Sequence, residues 1–132
     1  MVEPAAKRRV LGLVAVQMAD AVFNAVPNQW VRDDLDHLGF PRDLRVVFPV
    51  IKSASATGLL AGLRQPRLGR LTAAALVAYF IAAMGFHARA GDSLLRYLPA
   101  AGMLTWSVMA FRAYESTEAK FPGVGASPRP RG

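Results

Sequence analysis

From Leu71 to Phe86 the chain runs sixteen residues without a charged side chain, and only Thr72 and Tyr79 among them are polar. A helix on the surface of a water-soluble protein needs a polar face at a 3.6-residue period, and this stretch has none. A buried strand fits poorly, because the run is too long and too rich in alanine. The full stretch, Leu71–Ala88, therefore reads as a membrane helix. Three more apolar stretches accompany it, Val10–Val26, Val46–Leu63 and Leu94–Phe111. Each is 17 or 18 residues long, at the short end of what crosses a bilayer, so flanking arginines are expected to snorkel. The expectation is an all-α, integral membrane four-helix bundle over residues 1–112, followed by a disordered cytoplasmic tail over 113–132. Its Pro-Gly-Ser-Arg composition marks the end of that tail as disordered.

The charges set an orientation. Lys7, Arg8 and Arg9 precede the first stretch; Arg64, Arg67 and Arg70 separate the second from the third; Arg112, Lys120, Arg129 and Arg131 follow the fourth. These ten of the sixteen basic residues fall on one side of the membrane. The other side holds Arg32, Arg42, Arg45, Arg89 and Arg96, diluted by Asp33, Asp34, Asp36, Asp43 and Asp92. Basic loops stay in the cytoplasm, so both termini are expected there. The net charge of +7 is then largely a topology signal with some attraction to anionic lipid. No nucleic-acid-binding motif accompanies it, and nucleic acid is not an expected partner. Lys7–Arg9 before an apolar run resembles a signal peptide, but Gln17 and Asp20 interrupt the run and Ala25–Val26–Pro27 is a poor cleavage site, so a retained first helix is expected. There is no cysteine, hence no disulfide, thiol-redox centre or cysteine metal site within the chain.

Two charges lie deep inside apolar runs. Asp20 is eleven residues past Arg9 and Lys52 twelve before Arg64, which places both roughly 16–18 Å into a helix, near mid-bilayer. Ionisable groups at such depth are costly and face a partner or a cavity. Gln17, Asp20 and Asn24 share one helix face, and Lys52 and Ser55 share another. If the faces meet, they form an intramembrane polar seam. Its plainest role is a salt bridge that fixes helix register; its functional role would be a proton relay or a seat for a polar head such as a quinone carbonyl.

A second cluster is expected at the outer boundary, where His87, Arg89 and Asp92 lie in the string His87–Ala88–Arg89–Ala90–Gly91–Asp92. His87 there would exchange protons with a quinone or partner, or simply bond to Asp92 or a loop carbonyl. Residues 27–45 read as an outer loop with a turn at Gly39–Phe40–Pro41 and Trp30 at the interface. Asp33, Asp34, Asp36 and His37 match no tight metal-ligand set, so no metal is expected and a solvated loop is. Asp92 or Ser93 is expected to cap the fourth helix. Ala54, Gly58 and Gly62, and likewise Ala74, Ala78 and Ala82, recur every four residues and are expected at helix contacts within the bundle. No nucleophile–base pair, phosphate-binding glycine loop or HExxH pattern appears.

The Leu38–Gly39–Phe40–Pro41 turn, the Gly58–Leu59–Leu60–Ala61–Gly62–Leu63 helix end and the string Gly85–Phe86–His87–Ala88–Arg89–Ala90–Gly91–Asp92 together resemble the DoxX-like family of small bacterial membrane proteins, over about residues 8–112. Members often carry an acidic residue near the position of Lys52, where this chain departs. Relatives in the wider group include a membrane subunit of a thiosulfate:quinone oxidoreductase and a maturation factor for an amine dehydrogenase. The resemblance implies a bacterial membrane protein working beside a redox enzyme; with the small size and the absence of cysteines and catalytic motifs, the expectation is a multi-pass plasma-membrane accessory subunit of a larger respiratory or redox complex without catalysis of its own. Its expected partners are membrane lipid and either that complex or further copies of itself. No cofactor is expected, with a bound quinone or lipid as the candidate occupant. Two alternatives stand beside this reading: a quinone-interacting oxidoreductase component, and a small proton-coupled carrier.

Overall fold

The computed structural model describes residues 2–26 and 28–121, and every regular element among them is helical. Four long helices are present: α1 (Pro4–Ala25), α3 (Val47–Gly62), α4 (Pro66–Arg89) and α5 (Leu94–Lys120). Between α1 and α3 lie a short helix, α2 (Gln29–His37), and a single 3₁₀ turn at Arg42–Leu44. The long helices form a ring in chain order: α1 packs on α3, α3 on α4, α4 on α5, and α5 returns to α1 through the sparsest of the four seams. Both described ends lie at one end of this ring, called here the terminal end; α2 and the α4–α5 turn lie at the other, the cap end.

Two of the long helices begin earlier than hydropathy alone indicates. Pro4 and Pro66 occupy the first turns of α1 and α4, where a missing N–H costs nothing and the fixed φ favours helix. The basic turn between α3 and α4 thereby shrinks to three residues, 63–65. Helix α5 continues past Phe111 to Lys120, carrying Glu118 to within 2.8 Å of Arg70 on α4. The remainder of the expected tail, 122–132, lies outside the described residues.

The core is a stack of Val10, Leu13, Leu59, Ala73, Leu76, Phe80, Ala110 and Tyr114. Near the terminal end, α3 and α4 approach backbone to backbone. A Cβ at Gly62 would overlap the Gly69 Cα, and one at Gly69 would lie 2.5 Å from the Tyr114 ring. Tyr114, fully buried, donates its hydroxyl to the Leu59 carbonyl at 2.5 Å. Higher up, a Cβ at Gly58 would collide with Thr72. Gly58 and Gly62 thus sit at the α3–α4 crossing. Ala54, Ala74, Ala78 and Ala82 do not: all four are exposed on the outside of the bundle. The reason is that Ala73, Leu76 and Phe80 supply the inward stripe of α4, which leaves the four-residue alanine series on the opposite face.

Two segments, Arg42–Gly62 and Pro66–Arg89, are long and apolar enough on their own to cross a bilayer. Helices α1 and α2 reach that threshold only when taken together, and α5 falls short. Of the four membrane helices expected, two meet this threshold alone, and a third does if the bent α1–α2 pair is one span. The apolar runs are diluted by the polar residues within them, Gln17, Asp20 and Asn24 on α1 and Arg96, Thr105 and Ser107 on α5.

Candidate functional site

Asp20 on α1 and Lys52 on α3 meet. Lys52 Nζ lies 2.6 Å from Asp20 Oδ2. The pair sits five residues inside the cap end of each helix, roughly 8 Å from it at 1.5 Å per residue, and so nearer that end than the mid-depth expected. The partners differ in enclosure. The Lys52 side chain is 5% exposed, that of Asp20 38%. The lysine is also covered by aromatic faces, with Nζ 4.8 Å from the ring centres of both Tyr79 and Phe80 on α4. An ammonium held between a carboxylate and two π-faces has replaced most of its hydration shell. Asp20 keeps one edge open to the outside of the bundle, between the exposed side chains of Val16 and Phe23.

The other seam residues divide. Asn24 joins the pair, its Nδ2 donating to Asp20 Oδ1 at 3.0 Å and to the Asp20 carbonyl at 2.8 Å. Ser55 is buried but donates to the Ile51 carbonyl of its own helix. Gln17 is fully buried one turn below Asp20, and neither its amide nitrogen nor its oxygen has a hydrogen-bond partner among the described residues.

Above the ion pair lies an aromatic layer. Phe80, Tyr79, Phe48, Phe40 and Phe86 contact one another in sequence, with ring centres 4.8–6.4 Å apart. Phe40 reaches it from the end of α2. That helix corrects the outer-loop expectation for residues 27–45. The Asn28 side chain caps it by accepting from Val31 N–H at 2.8 Å, and Val31, Leu35 and Leu38 turn one half-buried face toward the bundle. Gly39, at φ +68°, ends α2 in the left-handed conformation, and Phe40 N–H bonds back to the Leu35 carbonyl at 2.9 Å.

Charged residues tie this cap down. Arg45 donates to Asp36 at 2.5 Å and to the Phe40 carbonyl at 3.0 Å, and Arg42 donates to Asp36 at 3.3 Å. These two guanidiniums, Arg45 foremost, hold the Asp36 carboxyl below the usual carboxylate range. Arg96 on α5 reaches Asp34 at 3.6 Å. Both histidines of the chain converge on one carboxylate: His87 Nδ1 is 2.7 Å from Asp92 Oδ2, and His37 Nε2 is 2.5 Å from Asp92 Oδ1. Asp92 is 3% exposed, and its carboxyl is held low first by the His87 hydrogen bond and then by that of His37. Gly91 makes this possible, since at φ +69° it turns the chain so that Asp92 folds back over the end of α4. Neither expected capping side chain bonds to the α5 backbone: Ser93 occupies the cap position without a side-chain bond, and the Asp92 carboxylate is taken by the histidines, with Arg96 of α5 at 3.9 Å. Arg89 stands apart, its guanidinium 5.9 Å from the Phe86 ring. Among the described residues no group of histidine and acidic side chains is arranged to hold a metal ion.

The molecule is thus a small membrane protein, built as a helical bundle with an internal ion pair beneath an aromatic and ionic cap. The family model of the DoxX-like family matches residues 10–111, and the chain belongs to that family. No curated protein and no solved structure matches it. The sequence pointed to His87, Asp92 and the Asp20–Lys52 contact, but not to His37, Arg45, Tyr79 or Phe80. His37 and Asp92 are 55 residues apart, and no local pattern links them. The Asn28 cap followed by Val31, Leu35 and Leu38 was a readable signal for α2.

Proposed function

We propose that the protein is a multi-pass accessory subunit of a larger respiratory or redox complex in the bacterial plasma membrane, with all four long helices crossing the bilayer and the terminal end in the cytoplasm. The positive-inside distribution supports that orientation, and the family likeness supports the class of the assembly. One observation carries the subunit reading. Asp20 presents more than a third of its side chain on the outside of the bundle, roughly 8 Å in from the cap end, where acyl chains give a carboxylate poor solvation. Lys52 takes one of its oxygens and Asn24 donates to the other, yet the flanking exposed side chains on its open side, Val16 and Phe23, are apolar. A neighbouring membrane helix with a polar or basic group opposite Asp20 completes the site.

The reading is tested by purifying the tagged protein from native membranes in mild detergent. A stoichiometric membrane partner that is lost with Asp20→Ala but kept with an exposed change on α4, Ala78→Leu, is expected. A protein that always emerges alone contradicts it.

A second reading, a quinone-contacting component, draws on the unpartnered Gln17 amide one turn from the ion pair. It expects a quinone analogue to raise the melting temperature, and Gln17→Leu to abolish that rise. Quinone at saturation without any effect removes it.

A further inference from the structure

We infer that the groove between α1 and α5 at the terminal end binds the phosphate of an anionic phospholipid. The α1–α5 seam opens there into a cavity of about 270 Å³. Arg9 enters it from α1, and Arg112 and Lys120 enter it from α5. None of the three forms an ion pair among the described residues. At the same end of the bundle, Arg67 and Arg70 are both engaged by Glu118. The cavity therefore gathers three cations without a counter-ion, against one carboxylate, Glu3, that lines it without pairing to them.

The hydroxyls in the cavity do not compete for the role. Ser116 and Thr117 donate to carbonyls of their own helix, at 2.8 and 2.9 Å. Recognition falls to the guanidiniums and the ammonium, whose chemistry suits a phosphodiester. The groove also has the depth of a lipid. From Lys120 to Met109 it follows eleven residues of α5, roughly 16 Å, enough to pass from the headgroup layer into hydrocarbon. Met109 is the apolar residue at its deep end, and Ala6 lines it nearer the mouth. One turn beyond Met109, Trp106 packs on Gly12 and donates Nε1–H to the Arg9 carbonyl at 2.8 Å, which fixes the backbone that carries Arg9. An acyl chain along Met109 with its phosphate among Arg9, Arg112 and Lys120 fits this profile. The inference rests on the membrane setting of the bundle, but not on the partner complex or on which side is cytoplasmic.

The test uses the full chain in a neutral detergent at low salt, read by thermal unfolding with added phosphatidylglycerol, phosphatidylcholine or inorganic phosphate. Phosphatidylglycerol is expected to raise Tm by about 5 °C near saturation, with little effect from the other two. The double change Arg112→Gln with Lys120→Gln should lose most of that rise, and Arg67→Gln, outside the groove, should keep it. Should the double variant fail to fold, Arg9→Gln is scored instead by the number of phosphatidylglycerol molecules retained in native mass spectrometry. Equal stabilisation by phosphatidylcholine, or a full rise in the groove variant, overturns the inference. A full effect of inorganic phosphate reassigns the site to free phosphate and overturns the lipid assignment. Recovery of the protein in the soluble fraction after alkaline washing of membranes would instead refute the membrane setting itself.

Discussion

Neutralising Asp20 and Lys52 separately and together gives the most informative perturbation of this bundle. At the 2.6 Å separation of Nζ and Oδ2, the direct attraction is about 6 kcal/mol at an effective dielectric of 20. Several kcal/mol of desolvation per ion oppose it, so the pair adds little net stability, yet stranding one buried partner costs about 3–5 kcal/mol. The structure makes the two losses unequal. In Asp20→Ala the ammonium stays enclosed, with only the faces of Tyr79 and Phe80 that it already contacts, and the full loss of about 3–5 kcal/mol is expected. In Lys52→Met the apolar stem is conserved, and the remaining carboxylate keeps its open edge and the Asn24 bond. In detergent, where that edge is wetted, the loss should be the smaller, about 1–2 kcal/mol. The double variant Asp20→Ala with Lys52→Met should recover most of the larger loss. Thermal unfolding of the purified protein, followed by Trp30 and Trp106 fluorescence, reads these differences as Tm shifts of roughly 3–4 °C per kcal/mol. Losses that simply add in the double variant would refute the claim that the two charges act on one another.

Four further outcomes follow from the packing and the cap. Gly69→Ala, whose Cβ would lie 2.5 Å from the Tyr114 ring, should cost about 1–3 kcal/mol by overpacking, whereas Gly85→Ala, with nothing within 4 Å, should be neutral or stabilise by about 0.5–1 kcal/mol; thermal unfolding compares the two. Tyr114→Phe should cost about 1 kcal/mol by leaving the Leu59 carbonyl without its donor, read the same way. Asp92→Asn should speed amide exchange in residues 28–46 while leaving α3 and α4 protected, because it removes the charge that holds both His37 and His87. The carboxyls of Asp36 and Asp92 are held low in the folded protein. Their contribution to the cap is therefore fully present above the ordinary carboxylate range and is lost as pH falls through their depressed values. Amide exchange in α2 should stay slow at neutral pH and accelerate only under strongly acidic conditions, and an acceleration already complete near pH 6 would contradict that assignment.

What was legible in the chain was whatever has a period or a punctuation mark. The uncharged Leu71–Phe86 run announced α4, and two charges deep in apolar runs announced a contact between α1 and α3. Glycine at 39 and 91 marked two turns that both adopt left-handed backbone. Element ends were less legible, since helices extend through charged residues whenever capping and tertiary pairing favour it. Arg67 and Arg70 lie within α4, and Glu118 within α5, because they pair across the helices. The aromatic cover of Lys52 and the His37 arm of the Asp92 cluster come from distant segments, and only the closed bundle brings them together. The outward alanine series on α4 shows the limit of a spacing argument. A four-residue repeat says that residues share a face, and the larger side chains decide which face is inside.

The exposed edge of Asp20 is tested most directly by photo-crosslinking in native membranes, with a photoreactive amino acid placed at Val16 or Phe23 beside it and, separately, at Ala78 on α4. Discrete crosslinks to one polypeptide from positions 16 and 23, absent from position 78 and lost when Asp20→Ala is added, are the predicted result. Lipid adducts alone from all three positions would contradict the claim that a protein partner covers this carboxylate.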